Sequence, residues 1–211
     1  MTNRVVFYSD ENEIRTLIPG LQEHEGLRSA HYNLSVSAEL PVLLNSRNDG
    51  LPQLKMIPWG AADEKGGAAA SVTAEMAEDS IGRSIAQPSV VLINGYYIWK
   101  KGRESEHPFF VRLLQEPLLR VAAILFRGNH PSVSMIEVDS NPLIYPVSER
   151  MPLLLTEEYD VKWRAAKISV KELVEKSGSG YQLTDYSVLR VSKKVNDPSQ
   201  NRPELIQPIP K

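Results

Sequence analysis

Short runs of β-branched, aromatic and aliphatic residues recur along the chain and predict strands. The clearest runs cover residues 4–8, 41–44, 89–93, 96–99, 109–114, 120–126, 133–138 and 188–191. The chain also has 15 prolines and 12 glycines spread along its length, which favours short elements joined by many turns. The pattern therefore predicts an α+β fold with a strand-rich core and short peripheral helices.

Capping residues predict where the few helices begin. Asp10 is a candidate N-cap with Glu13 at the capping-box position three residues later. A second helix is expected after Thr156, and a third at Ser169. The small and polar segment 66–84 fits either a loop or a loop that leads into a helical turn, and its pattern does not choose between them.

Asn94-Gly95 lies between two strand runs and predicts a β-hairpin. In the second strand Tyr97 and Trp99 share one face, and Tyr96 points to the other. Three basic residues follow at once: Lys100, Lys101 and Arg103. Basic residues beside aromatic ones are typical of single-strand grooves, but a buried core with a solvated hairpin end is the favoured interpretation.

No internal repeat or interdomain linker interrupts the pattern, so residues 1–211 are predicted to form a single domain. The tail from about 196 to 211 is rich in proline and is expected to wrap the surface. No apolar run reaches the length of a membrane span, and the N-terminal apolar run is too short for a signal peptide. A cytoplasmic protein without a membrane partner is therefore expected.

The formal net charge is −2, so any affinity for DNA needs a local basic patch. There is no cysteine, which excludes disulfides, thiolate metal sites and cysteine nucleophiles. The four histidines lie far apart without ligand spacing, and we expect neither a metal site nor a cofactor. These histidines are His24, His31, His107 and His130.

Four segments, in order, resemble the SRAP family, whose members capture abasic sites in single-stranded DNA. The chain begins Met-Thr-Asn-Arg where the family has Met-Cys-Gly-Arg. The other segments are VLINGYYIWK at 91–100, NPLIYPVSERMPLLL at 141–155 and VSKKVNDPSQNRPELI at 191–206. Weaker similarities occur at Tyr32-Asn33 and Trp59-Gly60. The resemblance spans nearly the whole chain and implies an SRAP-like fold.

The resemblance also implies a chemistry. In the family, removal of the initiator methionine exposes a cysteine whose α-amine attacks the aldehyde of an abasic site. The Schiff base that results is closed by the thiol into a stable thiazolidine, a covalent DNA–protein crosslink. An asparagine, a glutamate and a histidine assist in positioning and proton transfer.

Each of these family positions is occupied here by a residue of another type. The cysteine position holds Thr2, the glutamate position Ile98 and the histidine position Ser148. The asparagine position aligns with Ser71, and a neighbouring arginine position with Thr73. Isoleucine cannot accept a proton, and a serine hydroxyl does not act as a base near neutral pH. The resemblance therefore implies a degenerate active site.

Four residues at retained positions are predicted to contact DNA: Arg4, Asn33, Trp59 and Arg150. The two arginines have the charge to hold phosphate. For Arg150 a buried ion pair that supports the fold is an equal alternative. For Trp59 the alternative is core packing, and for Asn33 it is a hydrogen-bonding role in a turn or loop.

Three hypotheses follow, in this order. The first is an inactive SRAP module that binds single-stranded, branched or abasic DNA without crosslinking it. The second is an interaction protein that reuses the fold for a protein partner. The third is residual Schiff-base chemistry through the α-amine of Thr2 after loss of Met1. The oligomeric state is left open.

Overall fold

The computed structural model describes residues 2–22, 27, 30–46, 49–62, 68–101, 106–177 and 180–209. Met1, His24 and Arg103 lie outside these ranges. The strands are β1 (Arg4–Phe7), β2 (His31–Ser35), β3 (Glu39–Asn45), β4 (Pro52–Pro58), β5 (Ala61–Ala62), β6 (Ala68–Ala69), β7 (Ser71–Thr73), β8 (Ala86–Ile93), β9 (Gly95–Lys101), β10 (Glu106–Leu113), β11 (Leu119–Phe126), β12 (Ser132–Asp139), β13 (Arg150–Pro152), β14 (Leu154–Leu155) and β15 (Tyr186–Arg190). The helices are α1 (Glu11–Leu17), α2 (Ala74–Gly82), α3 (Glu157–Arg164) and α4 (Val170–Ser177), with 3₁₀ turns at Leu183–Asp185, Lys193–Asn196 and Pro203–Ile206.

Two mainly antiparallel sheets form the body of the protein. One has five strands in the order β15-β10-β9-β1-β2. The other has eight strands and follows the path β13-β12-β11-β8-β3-β4, with β14 beside β11 and β7 parallel to β12. This architecture confirms the predicted α+β class with a strand-rich core and short helices. None of the helices within the described ranges is long and apolar enough to cross a membrane.

The two sheets share one hydrophobic core. Buried side chains from β1 and β9 of the smaller sheet pack in the same cluster as those from β3, β8 and β11 of the larger one. Trp163 of α3 lies on the larger sheet, where its indole Nε1 donates to the carbonyl of Ser89 at 2.9 Å. This shared core holds β1, and with it the N-terminus, beside the strands of the eight-stranded sheet.

The capping residues predicted from sequence begin the expected helices. The Asp10 side chain accepts a hydrogen bond from the Glu13 amide at 2.9 Å, and Ser169 accepts from the Glu172 amide at 3.2 Å. α3 begins directly after Thr156, as predicted. Segment 66–84, for which the sequence pattern did not choose between loop and helix, contains the short strands β6 and β7 and the helix α2. The N-cap of α2 is Thr73.

The hairpin predicted at Asn94-Gly95 is wrong. β8 pairs with β3 and β11 in the larger sheet, whereas β9 pairs with β1 and β10 in the smaller one. Asn94 therefore carries the chain from one sheet to the other, and its side chain is buried. Its Oδ1 accepts from the amides of Tyr8 and Ser9, and its Nδ2 donates to the carbonyl of Pro117. Local turn residues cannot reveal this crossing, because the partners of Asn94 come from distant parts of the chain.

We expect a Gly95→Ala substitution to destabilise the protein. A Cβ atom at Gly95 would lie 2.4 Å from Cζ of Phe110 and 2.7 Å from the carbonyl oxygen of Val111. Overpacking of this kind costs about 1–3 kcal/mol, and here part of the obstacle is backbone. Urea denaturation should show a lower midpoint. Gly82→Ala is the control, because a Cβ at Gly82 meets nothing within 4 Å; equal midpoints for the two variants would contradict the prediction.

The aromatic residues of β9 do not form an open stacking surface. Tyr96 faces the main core, as alternation predicts, and Tyr97 packs in a second cluster with Val195 and Leu205 from the C-terminal tail. Trp99 is half-buried, and its Nε1 donates to Oδ1 of Asn196 at 2.8 Å. The tail thus covers the face that a single strand of DNA would need.

Candidate functional site

Thr2 and Glu137 join the two sheets at the N-terminus. The main-chain nitrogen of Thr2 donates a hydrogen bond to Oε1 of Glu137 at 3.0 Å. Thr2 is 2% exposed and Glu137 is 5% exposed, so this contact is shielded from water. Glu137 belongs to β12 of the larger sheet, whereas Thr2 directly precedes the smaller sheet's β1. A carboxylate therefore lies against the nitrogen atom that, in the family, performs the attack.

Arg150 fixes the strand that carries this carboxylate. Its Nη2 donates to the main-chain carbonyl of Glu137 at 2.7 Å, and its Nη1 forms an ion pair with Asp139 at 2.6 Å. Asp139 and Arg150 are also register partners on β12 and β13. Arg150 thus forms an ion pair, but the pair is not the buried one stated as its alternative, because the Asp139 side chain is 93% exposed and the Arg150 side chain 35%.

The other positions implied by the resemblance lie around this contact without rebuilding the family's set. Ile98 is a buried apolar residue on β9, the strand that pairs with β1. Ser148 donates its hydroxyl to the carbonyl of Arg150 at 2.8 Å, so its hydroxyl proton is used locally. Ser71 is on β7, whose Thr73 pairs in register with Glu137. The carboxylate of the site therefore comes from β12 and not from β9.

Several buried polar atoms on the strands that meet here have no hydrogen-bond partner among the described residues. They are Oγ1 of Thr2, Nη1 of Arg4, Oγ of Ser71 and Oη of Tyr96. Buried polar groups are nearly always paired, so each unpaired one calls for an explanation, such as a bound ligand or water. Thr2 lies just before β1, and the other three atoms belong to β1, β7 and β9, so unpaired polar atoms occur on several strands of the two sheets.

The Tyr96 hydroxyl is a neutral group at this site. Burial raises the pKa of its phenol well above the ordinary value, and Tyr186 and Glu137 raise it further. A phenol with a raised pKa keeps its proton near neutral pH and can only be a neutral donor or acceptor. Tyr96 therefore adds no negative charge beside Glu137.

Arg4 supplies positive charge two residues from Thr2. Partial burial lowers the pKa of its guanidinium, and the carboxylate of Asp197 offsets part of this effect. Arginine remains charged in proteins after such a change, because its ordinary pKa is above 12. The buried and unpartnered Nη1 of Arg4 is a hydrogen-bond donor suited to an anion.

The structure does not support DNA contact by Trp59 or Asn33. Trp59 is 0% exposed, and its Nε1 donates to the carbonyl of Ala70 at 2.8 Å, so no ring face is available to a base. The Asn33 side chain is also buried and donates to the carbonyls of Val195 and Asp197. Both therefore hold the fold together, as the alternatives stated for them suggest.

A cleft of about 610 Å³ lies beside β12 and β13. Asn141 and Tyr186 line it, together with Tyr181 near the end of α4. Burial raises the pKa of Tyr181 and of Tyr186 to about 12, so both phenols stay neutral. Tyr186 also raises the pKa of the Tyr96 phenol. The wall of this cleft is therefore close to the site around Thr2.

In the part of the chain that the structure describes, no group of three His, Asp or Glu side chains is placed to hold a metal ion. The groups described above for this site are a main-chain nitrogen, a carboxylate, hydroxyls and a guanidinium. That set matches proton transfer and anion binding.

The sequence profile of the family described as SOS response associated peptidase (SRAP) matches residues 1–198. The chain belongs to the SRAP family. Among this SRAP protein's relatives is the abasic site processing protein YoqW of Bacillus subtilis, which is 26% identical over 197 residues. That match covers 87% of this chain and 88% of YoqW. The abasic site processing protein YedK of Escherichia coli is 28% identical over 127 residues, 57% of each chain.

Solved structures support the fold of this SRAP protein independently. A crystal structure of a protein from Bacteroides thetaiotaomicron superposes with a TM-score of 0.79 at 17% identity. The superposition covers 98% of this chain and 99% of that one. At this level of identity the likeness concerns the fold alone.

Glu137 is a candidate site residue that sequence reasoning missed. It lies within the predicted strand 133–138, among apolar residues, and this is a signal that was available. A glutamate inside a buried strand is costly unless it has a partner. Its partner is 135 residues away in the sequence, at Thr2, so only the folded chain identifies it.

Proposed function

We propose that this SRAP protein binds single-stranded DNA at abasic sites through the surface around Thr2, Arg4 and Arg150. We further propose that it does not form the stable thiazolidine crosslink, because Thr2 has no thiol. The observation that carries the proposal is the buried Nη1 of Arg4, which has no partner among the described residues and belongs to a residue two positions after Thr2. Such a donor is satisfied when a phosphate oxygen binds.

Arg150 is the second contact in this proposal. Its exposed fraction leaves room for phosphate, and its partner Asp139 is on the surface. An arginine can exchange a solvent-exposed carboxylate for a phosphate at little cost, because exposed ion pairs contribute little. Together, the two arginines provide the cationic contacts that an overall charge of −2 makes necessary, and phosphate would have to compete there with Asp197 and Asp139.

Binding should depend on salt to the extent that two phosphate contacts predict. For single strands the slope of log K against log salt is about −0.7 per contact, or about −1.4 for two. Affinity should then fall about sevenfold between about 50 and 200 mM salt. Fluorescence anisotropy with a labelled single strand that carries a tetrahydrofuran abasic analogue measures this, and the analogue excludes any covalent reaction.

The variant Arg4→Ala should weaken binding and reduce the slope by about 0.7. Arg83→Ala is the matched control, because Arg83 is an exposed arginine that forms an ion pair with Asp79 of α2. The two variants change the net charge equally. A difference in affinity between them therefore reflects where the arginine lies and not the total charge. Absence of binding at low salt would overturn the proposal and favour a protein partner.

A further inference from the structure

We propose that Glu137 replaces the carboxylate missing at position 98 and makes the α-amine of Thr2 a reversible nucleophile toward the aldehyde of an abasic site. This inference rests on the proposed function, because the aldehyde must first be bound. It also requires removal of Met1, which turns the main-chain nitrogen of Thr2 into an α-amine. Small residues such as threonine in second position favour that removal.

The geometry carries the proposal. The nitrogen of Thr2 lies 3.0 Å from Oε1 of Glu137, within the range that proton transfer needs. The strand that carries the carboxylate is held in place, because Arg150 donates to the main-chain carbonyl of Glu137 and β12 pairs with β7, β11 and β13. Removal of Met1 replaces the peptide bond at this nitrogen by hydrogen. The resulting amine can still contact Glu137.

Burial holds the carboxylate and the nitrogen in direct contact without water between them. The contact is shielded from water, and charge interactions are stronger where water is excluded. The hydroxyls of Thr2 and Tyr96 have no hydrogen-bond partners within the described chain, and neither carries a charge near neutral pH that would compete with the carboxylate. The ordinary pKa of an α-amine, about 7.7–8.0, already places it close to neutrality.

Each step balances without a cofactor. Glu137 takes a proton from the ammonium group, and the free amine adds to the aldehyde carbon, giving a carbinolamine. The protonated carboxyl then returns its proton to the departing hydroxyl, which leaves as water while the C=N bond forms. Overall, an ammonium group and an aldehyde give a protonated imine and water, and no oxidant or reductant is used.

Thr2 also determines the fate of the imine. Its unpartnered Oγ1 can add to the imine carbon while its proton passes to nitrogen, which closes a five-membered oxazolidine. This ring is less stable than a thiazolidine and reopens with water. The adduct is therefore reversible, in contrast to the permanent crosslink that the family's cysteine forms.

The test is borohydride trapping on a single strand that carries one natural abasic site. Hydride reduces the imine to a stable amine, so the wild-type protein should give an adduct on a denaturing gel only when borohydride is present. Peptide mapping should place the adduct on the α-nitrogen of Thr2. An adduct confined to lysine residues would overturn the inference, as would an intact mass that retains Met1.

Glu137→Gln is the decisive variant, because the glutamine oxygen can still accept from the Thr2 nitrogen but cannot take its proton. We expect trapping to slow by about 100-fold or more, while binding of the tetrahydrofuran strand stays within about twofold of wild type. Glu149→Gln, on the chain that precedes β13, is the matched control and should trap at the wild-type rate. If the glutamine variant does not fold, Glu137→Asp keeps a carboxylate at shorter reach and should trap at a reduced rate.

The two proposals fail in different ways. Absence of trapping by the wild-type protein overturns this inference whatever the binding result, as does a Glu137→Gln variant that traps at the wild-type rate. Absence of binding to the tetrahydrofuran strand overturns the proposed function whatever the trapping result.

Discussion

Thr2→Cys should convert the protein into a stable crosslinker of abasic DNA. The wild-type chain is expected to give no adduct that survives heat and detergent without borohydride, whereas the cysteine variant should give one. The physical reason is that the variant supplies the missing thiol next to a nitrogen that Glu137 already contacts at 3.0 Å. The thiol can then close the thiazolidine that threonine cannot form.

The chain itself makes this experiment clean, because it has no other cysteine. Alkylation with iodoacetamide would modify only position 2 and should abolish the heat-stable adduct. Thr2→Ser is the matched control: it keeps a small hydroxyl residue and a removable methionine, and should behave like wild type. A Thr2→Cys variant with a free N-terminus that binds abasic DNA but forms no adduct would show that Glu137 does not supply the family's missing carboxylate.

Asp160→Ala should cause the largest loss of stability. Asp160 is buried on α3 between two buried arginines: its Oδ2 lies 3.4 Å from Nε of Arg120, and its Oδ1 accepts from Arg164. Arg120 also donates to the carbonyl of Leu17 at 2.7 Å, and Arg164 donates to Asn45. Without the carboxylate, two guanidiniums remain buried without a counter-charge. Removing one partner from such a cluster costs about 3–5 kcal/mol.

Urea denaturation measures this effect as a lower midpoint with an unchanged m value. The matched control is Glu158→Ala on the same helix, because Glu158 forms an exposed pair with Lys162 one turn away. That control should leave the midpoint where it is. A midpoint for Asp160→Ala equal to that of the control would mean that solvent reaches the arginines and that the cluster contributes little.

Sequence pattern predicted this fold well where the signal is local. The helix starts at Asp10, Thr156 and Ser169 were predicted correctly, because a cap and its amide partner are within one turn of each other. The long apolar strands were also predicted, because burial on both faces produces continuous apolar runs. Short strands such as β7 and β13 were missed, since runs of three residues carry no period.

The site was predicted only in part. The resemblance located the N-terminus and the positions that depart from the family, but it assigned DNA contacts to Trp59 and Asn33, which are buried. An alignment reports which residue types occupy equivalent positions and does not report their exposure. It also could not find Glu137, because the family's carboxylate is implied for β9 and this one is on β12.

By itself, the sequence determined the α+β class, the main strands, the helix caps and the absence of a thiol. These properties depend on residue type and on neighbours a few positions apart. Only the tertiary structure decided that Asn94-Gly95 joins two sheets and that the tail covers Tyr97. It also decided that Glu137 meets Thr2. The reason is physical. Hydrogen bonds and packing between distant segments depend on how the two sheets fold onto a shared core, and a local sequence pattern does not show which distant segments will meet.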